Sequence, residues 1–160
     1  MTMQTTDLTV RKSITVEASQ ERAFDVFTEG FDRWWPRSHH IGDTEMAEGI
    51  MECREGGRFY ERGVDGSECD WGRVLVFEPP SRIVVSWNIG SDWKYDPDPE
   101  RASEYEVRFI PQGDSRTLVE FEHRNIERHG EGAQKIYESV GSEGGWPGLL
   151  ELFAKEATTI

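Results

Sequence analysis

The chain lacks most of the features that fix a function quickly. Only two of its 160 residues are cysteine, Cys53 and Cys69, too few and too isolated for a disulfide framework or a zinc knuckle. They read as reduced packing thiols. The four histidines, His39, His40, His123 and His129, show no HxH or HxxxH spacing, so no metal and no cofactor is expected. No apolar run approaches the ~20 residues of a membrane span. Residues 1–7 lack the basic and apolar regions of a secretory leader, so a cytoplasmic location without a membrane partner is expected. No Gly-x-Ser-x-Gly elbow, phosphate-cradling glycine loop or dinucleotide fingerprint occurs. Basic residues are the minority, 18 Lys and Arg against 31 Asp and Glu, a formal net charge of −13. Nucleic acid needs clustered cations, so it is excluded as a partner, as is an anionic membrane surface.

What is present is aromatic. Eight Phe, six Trp and four Tyr carry much of the apolar area of a chain that is 36% hydrophobic. The length suits one domain over 1–160, burying roughly 70% of its unfolded surface around one core.

The order of patterns indicates the architecture. Leu8 to Val16 alternates as a strand. Ser19 offers an N-cap, and Phe24, Phe27 and Phe31 then recur at helical spacing, predicting one aromatic-faced helix that runs into Trp34-Trp35-Pro36. From about residue 50 to 124 the period is two, with Asp65-Gly66, Pro79-Pro80-Ser81 and Gln112-Gly113-Asp114-Ser115 as turns. Short connections imply antiparallel neighbours. Gly72 inside a strand predicts a bulge that bends the sheet. The long connection Ile89–Ala102, holding Trp93 and Tyr95, reads as a lid or a flap. Two helices close the chain. Ala133, Ile136, Tyr137 and Val140 mark the first; Trp146, Leu149, Leu150 and Phe153 mark the second, over 146–157. With no βαβ alternation the fold is α+β. A curved antiparallel sheet of six to seven strands wraps around the long C-terminal helix, with a cavity between them.

These residues carry a resemblance. Glu21-Arg22-Ala23-Phe24-Asp25-Val26-Phe27-Thr28, Trp34-Trp35-Pro36-Arg37-Ser38-His39-His40-Ile41-Gly42 and Gly57-Arg58-Phe59-Tyr60-Glu61 are similar to the SRPBCC superfamily of START-like helix-grip domains. So are Trp71-Gly72-Arg73-Val74, Pro79 through Trp87, Glu122-His123-Arg124 and Gly144-Gly145-Trp146-Pro147-Gly148-Leu149-Leu150. The nearest branch is that of the activator of the Hsp90 ATPase. The resemblance implies the helix-grip fold and three functions: carriage of a small apolar or aromatic ligand, a chaperone cofactor acting by protein contact or self-association, or a cyclase, lyase or hydrolase. The eukaryotic co-chaperone adds a separate N-terminal domain, for which the first strand, starting near residue 8, is expected to leave no room.

Trp34 and Trp35 are adjacent, so they are not expected to face one core together; they either line a binding site or plug the end of the core. Val119, Phe121 and His123 share one face of their strand, pointing His123 to the concave side. It is either a hydrogen-bonded core histidine or a ligand contact. An apolar replacement separates these, since only the core role predicts unfolding. Trp71, Trp87, Tyr105 and Trp146 either line the cavity or fill the core. The candidate ligand-binding set is therefore Trp34, Trp35, His39, Trp71, Trp87, Tyr105, Phe121, His123 and Trp146. His123 and His39 are the candidate acid/base groups.

Overall fold

The computed structural model describes residues 8–158. Seven strands form one antiparallel sheet in the order β1-β7-β6-β5-β4-β3-β2. They are β1 Val10–Val16, β2 Met46–Met51, β3 Arg58–Gly63, β4 Glu68–Glu78, β5 Arg82–Trp87, β6 Ser103–Pro111 and β7 Thr117–Arg124. Strands β2 to β7 form a continuous meander, and β1 closes onto β7 with Val10 opposite His123.

Gly72 explains part of the curvature. The β3–β4 register places Phe59 opposite Gly72 but Tyr60 opposite Asp70, so Trp71 is the bulged residue. A Cβ on Gly72 would lie 1.9 Å from the carbonyl oxygen of Ser86, so only glycine lets β4 approach β5 there. A second shift, between Val74 and Val76, bends the same strand again.

The aromatic helix is two pieces rather than one: α1 Gln20–Phe27 and the single turn α2 Phe31–Trp34. The chain turns at Thr28, whose hydroxyl donates to the Phe24 carbonyl at 2.8 Å. It closes with Gly30 N–H on the Asp25 carbonyl at 2.9 Å. A Cβ on Gly30 would meet the Val26 carbonyl at 2.9 Å. This break also overturns the expectation for the tryptophan pair. Both rings are buried: Trp35 leaves the helix with extended backbone (φ −78°, ψ 125°), which lets its ring pack edge-on against Trp34 at 5.9 Å between centroids, both resting on Phe31.

Helices α3 Ala133–Val140 and α4 Trp146–Thr158 follow a 3-10 segment, Ile126–Gly132. The apolar stripe of α4 meets the concave side of the sheet. Trp146 lies 4.4 Å from Phe121 and 4.9 Å from Tyr105 between ring centroids, and Phe153 lies 5.2 Å from Phe27. The convex side is charged. Glu104, Glu106 and Arg108 alternate with Tyr105, Val107 and Phe109 along β6. Glu106 is buried there beneath Arg82 (2.6 Å), Arg108 (2.7 Å) and Arg124.

Candidate functional site

One cavity of about 370 Å³ opens between the β4–β5 end of the sheet, the segment after α2, and the α3–α4 turn. Five of the six tryptophans line it: Trp35, Trp71, Trp87, Trp93 and Trp146. Ile41, Ile89, Val140 and Leu149 fill the apolar gaps, while Ser38, His39, His40, Ser139 and Ser142 give it a polar lip. Each tryptophan arrives from a different element, so the wall is a tertiary product.

The wall is held from behind by polar contacts. Glu61 is on the concave side because it is two residues from Phe59 along β3 and so shares its face, and it is buried. Its Oε1 accepts from Trp71 Nε1–H (2.9 Å) and from the backbone N–H groups of Ile41 (2.7 Å) and Gly42 (3.1 Å). One carboxylate thus fixes both a wall indole and the histidine-bearing segment. A Cβ on Gly42 would sit 3.0 Å from Glu61 Oε2. The Phe59–Glu61 parity was the sequence signal for this residue, and its charge hid it among exposed acids.

Trp146 is anchored differently. Its indole N–H donates to His123 Nδ1 (2.9 Å), leaving the His123 proton on Nε2, which lies 2.8 Å from Ser103 Oγ. The Ser103 hydroxyl and backbone N–H reach His129 Nε2 at 2.8 and 3.3 Å. Ser103 and His129 join the network because of β6–β7 pairing and the 3-10 segment; neither carries a sequence motif. Burial, with the neighbouring His129, holds His123 down to about 3. Burial likewise lowers His129 to about 4, with Asp96 opposing and Arg101 assisting. Both rings are therefore neutral near pH 7, and His123 is bonded at both ring nitrogens.

The connection expected to be a lid or flap is a small hairpin at the rim. Ile89 and Tyr95 form an antiparallel bridge, Gly90 N–H donates to the Lys94 carbonyl (3.0 Å), and the Asn88 side chain donates to the Asp96 carbonyl (3.0 Å). At its tip Trp93 has φ 60° and is 42% exposed. A bulky residue in the left-handed region is strained, and here it places a ring at the cavity mouth.

The nine candidate residues therefore separate. Trp35, His39, Trp71, Trp87 and Trp146 line the cavity. Trp34 does not: its N–H donates to the Val26 carbonyl (3.0 Å) and its ring packs on Phe27, Phe31 and Phe153. Tyr105, Phe121 and His123 are buried behind Trp146 rather than on the cavity wall. Burial raises the Tyr105 hydroxyl well above its ordinary value. That hydroxyl, Trp87 Nε1 and Glu61 Oε2 are buried without a hydrogen-bond partner among the described residues. No group of three or more metal-ligating side chains exists among the described residues. Cys53 and Cys69 are free thiols, both raised by burial. No helix of the described residues is long and apolar enough to cross a membrane.

Known proteins share this fold. An anthrahydroquino-gamma-pyrone synthase, Txn09, is 42% identical over 92% of this chain and 95% of that one, with a TM-score of 0.66. CalC, a self-sacrificing resistance protein from Micromonospora echinospora, is 31% identical over 93% of each chain, also with a TM-score of 0.66. An Hsp90 activator from Plasmodium falciparum has the same fold at 18% identity, with a TM-score of 0.60 and coverage of 92% and 96%. A search of curated proteins found no match. Since the family described as "Activator of Hsp90 ATPase homolog 1-like protein" matches residues 17–157, nearly the whole helix-grip domain, the chain belongs to that family.

Proposed function

We propose that this domain binds a planar, fused-ring aromatic small molecule in the tryptophan-walled cavity. The observation that carries the reading is the gathering of five of six tryptophans around one space of about 370 Å³, within the ~300–1,000 Å³ typical of small-molecule sites. Flat rings are recognised by offset stacking and edge contacts on such walls. The polar lip supplies the few directional contacts that orient a guest. The 42% identity to Txn09, named for an anthrahydroquino-gamma-pyrone, supports the same ligand class.

A chaperone-cofactor reading calls for an apolar surface away from the cavity. Among the described residues the exposed large hydrophobic side chains other than Trp93 are Val64, Leu75 and Leu152, one each on the β3–β4 turn, β4 and α4. That scatter favours the ligand over the protein partner.

The test is tryptophan fluorescence titrated with anthraquinone. Saturable quenching is expected, with affinity weakened about threefold to tenfold in Trp93→Gly, the value of one aromatic contact. Absence of saturable quenching overturns the reading.

A further inference from the structure

A histidine at a protein surface ordinarily samples several rotamers. His39 is exposed, yet it is fixed at three points. Its backbone N–H donates to the Pro36 carbonyl (3.1 Å), its own carbonyl accepts from Trp35 Nε1–H (2.9 Å), and its ring Nε2 lies 2.7 Å from the Gly144 carbonyl oxygen. A carbonyl only accepts, so the proton of the neutral ring is on Nε2 and Nδ1 carries the lone pair. The Ser38 hydroxyl approaches that nitrogen at 3.3 Å, longer than a well-made O–H bond and so readily exchanged for a guest's hydroxyl.

This is the arrangement a general base requires: a fixed ring, a tautomer set by a third group, and an available lone pair beside the binding space. The other imidazoles fit less well. His123 and His129 are buried, with His123 bonded at both ring nitrogens. His40 also lines the cavity, but its Nδ1 is tied to the Gly42 carbonyl (3.2 Å), two residues on, rather than across the mouth.

We infer that His39 is a catalytic base that takes the proton of an acidic hydroxyl on the edge of the bound aromatic molecule. The inference rests on the cavity reading above. In the step the guest O–H bond breaks and an Nδ1–H bond forms. The electron pair stays on oxygen, and the resulting imidazolium keeps its Nε2–H on the Gly144 carbonyl. No co-reactant is consumed. The product is an oxyanion nucleophile held among apolar walls, so the substrate class is a planar fused-ring phenol or enol. Trp35 and Gly144 act as positioning residues, one through the His39 carbonyl and the other through its Nε2.

The test uses the intact protein, with 2-hydroxyanthraquinone as probe and anthraquinone as the hydroxyl-free control. Fluorescence quenching reports occupancy for both, and visible absorption reports the red-shifted phenolate of the hydroxylated probe. At a pH below its ionisation in water, the probe is expected to show the phenolate band when bound to the wild type. A protein of net charge −13 opposes such ionisation through its general field, so the band requires a local acceptor. His39→Gln, whose amide still donates to the Gly144 carbonyl, is expected to bind both quinones while the phenolate fraction falls roughly tenfold or more, the effect of at least one pKa unit. Binding without a phenolate band in the wild type overturns the inference and leaves the cavity reading standing. So does a band that survives His39→Gln. Failure of both quinones to quench overturns the cavity reading, and the proton transfer with it.

Discussion

The indole N–H of Trp146 donates to His123 Nδ1 across 2.9 Å, tying the first turn of α4 to the end of β7 inside the core. His123→Leu removes this acceptor and the partner of Ser103 Oγ together. Each buried group left unsatisfied costs about 1–3 kcal/mol, so a loss of about 2–5 kcal/mol is expected in urea unfolding. His123→Gln keeps one acceptor and one donor and is expected to lose less than half as much. An unchanged urea midpoint for the leucine variant would show that the bond contributes nothing.

Acid sensitivity follows from the same network. Burial holds His123 at about 3 and His129 at about 4, whereas an unfolded histidine titrates near 6.5. Below about pH 6.5 the unfolded chain therefore binds protons that the folded chain refuses. The contribution of the two rings is complete above that pH and is lost as pH falls toward 4 and then 3. Stability measured from about pH 8 down to 4 should begin to decline near 6.5, before carboxylates titrate. In His129→Gln the early part of that decline should shrink.

Glu106 has a separate acid limit on the convex face. Burial pushes its carboxyl up, but Arg124, Arg82 and Arg108 outweigh burial and hold it at about 2. Its stabilisation is present above the ordinary carboxylate range, near 4.5, and disappears as pH falls toward about 2. Glu106→Gln leaves three guanidinium groups facing a neutral amide, and a loss of about 1–3 kcal/mol is expected at neutral pH. Anthraquinone quenching in this variant should match the wild type, since the cluster lies on the other side of the sheet from the cavity.

Trp93 is expected to trade stability for binding. With φ 60° the wild-type residue stores left-handed strain that glycine lacks. Trp93→Gly should therefore keep thermal stability or raise it by up to about 1 kcal/mol, while anthraquinone affinity falls. A variant that loses stability and binding together would make Trp93 a packing residue of the hairpin.

The fold was largely legible because alternation and helical spacing report local geometry. Val119, Phe121 and His123 share a face by strand parity alone, and the Trp146-Leu149-Leu150-Phe153 stripe marks the buried side of α4 without reference to its partner. Gly72 announced a bulge for the same local reason. The helix break at Thr28–Gly30 was less visible, because phenylalanine spacing is the same whether the helix runs on or turns.

The sequence by itself determined the antiparallel α+β architecture, the family, the absence of zinc-type spacing and the aromatic richness, since each is written in composition or in contacts close along the chain. Tertiary structure alone decided which rings meet. Trp34 goes to the core and Trp35 to the cavity; His123 finds Ser103 and Trp146, 20 and 23 residues away; His39 reaches Gly144 across 105. Periodicity says which face of its own element a side chain occupies. What it faces is set by the register and packing of distant segments, and along most of the chain no local pattern encodes that.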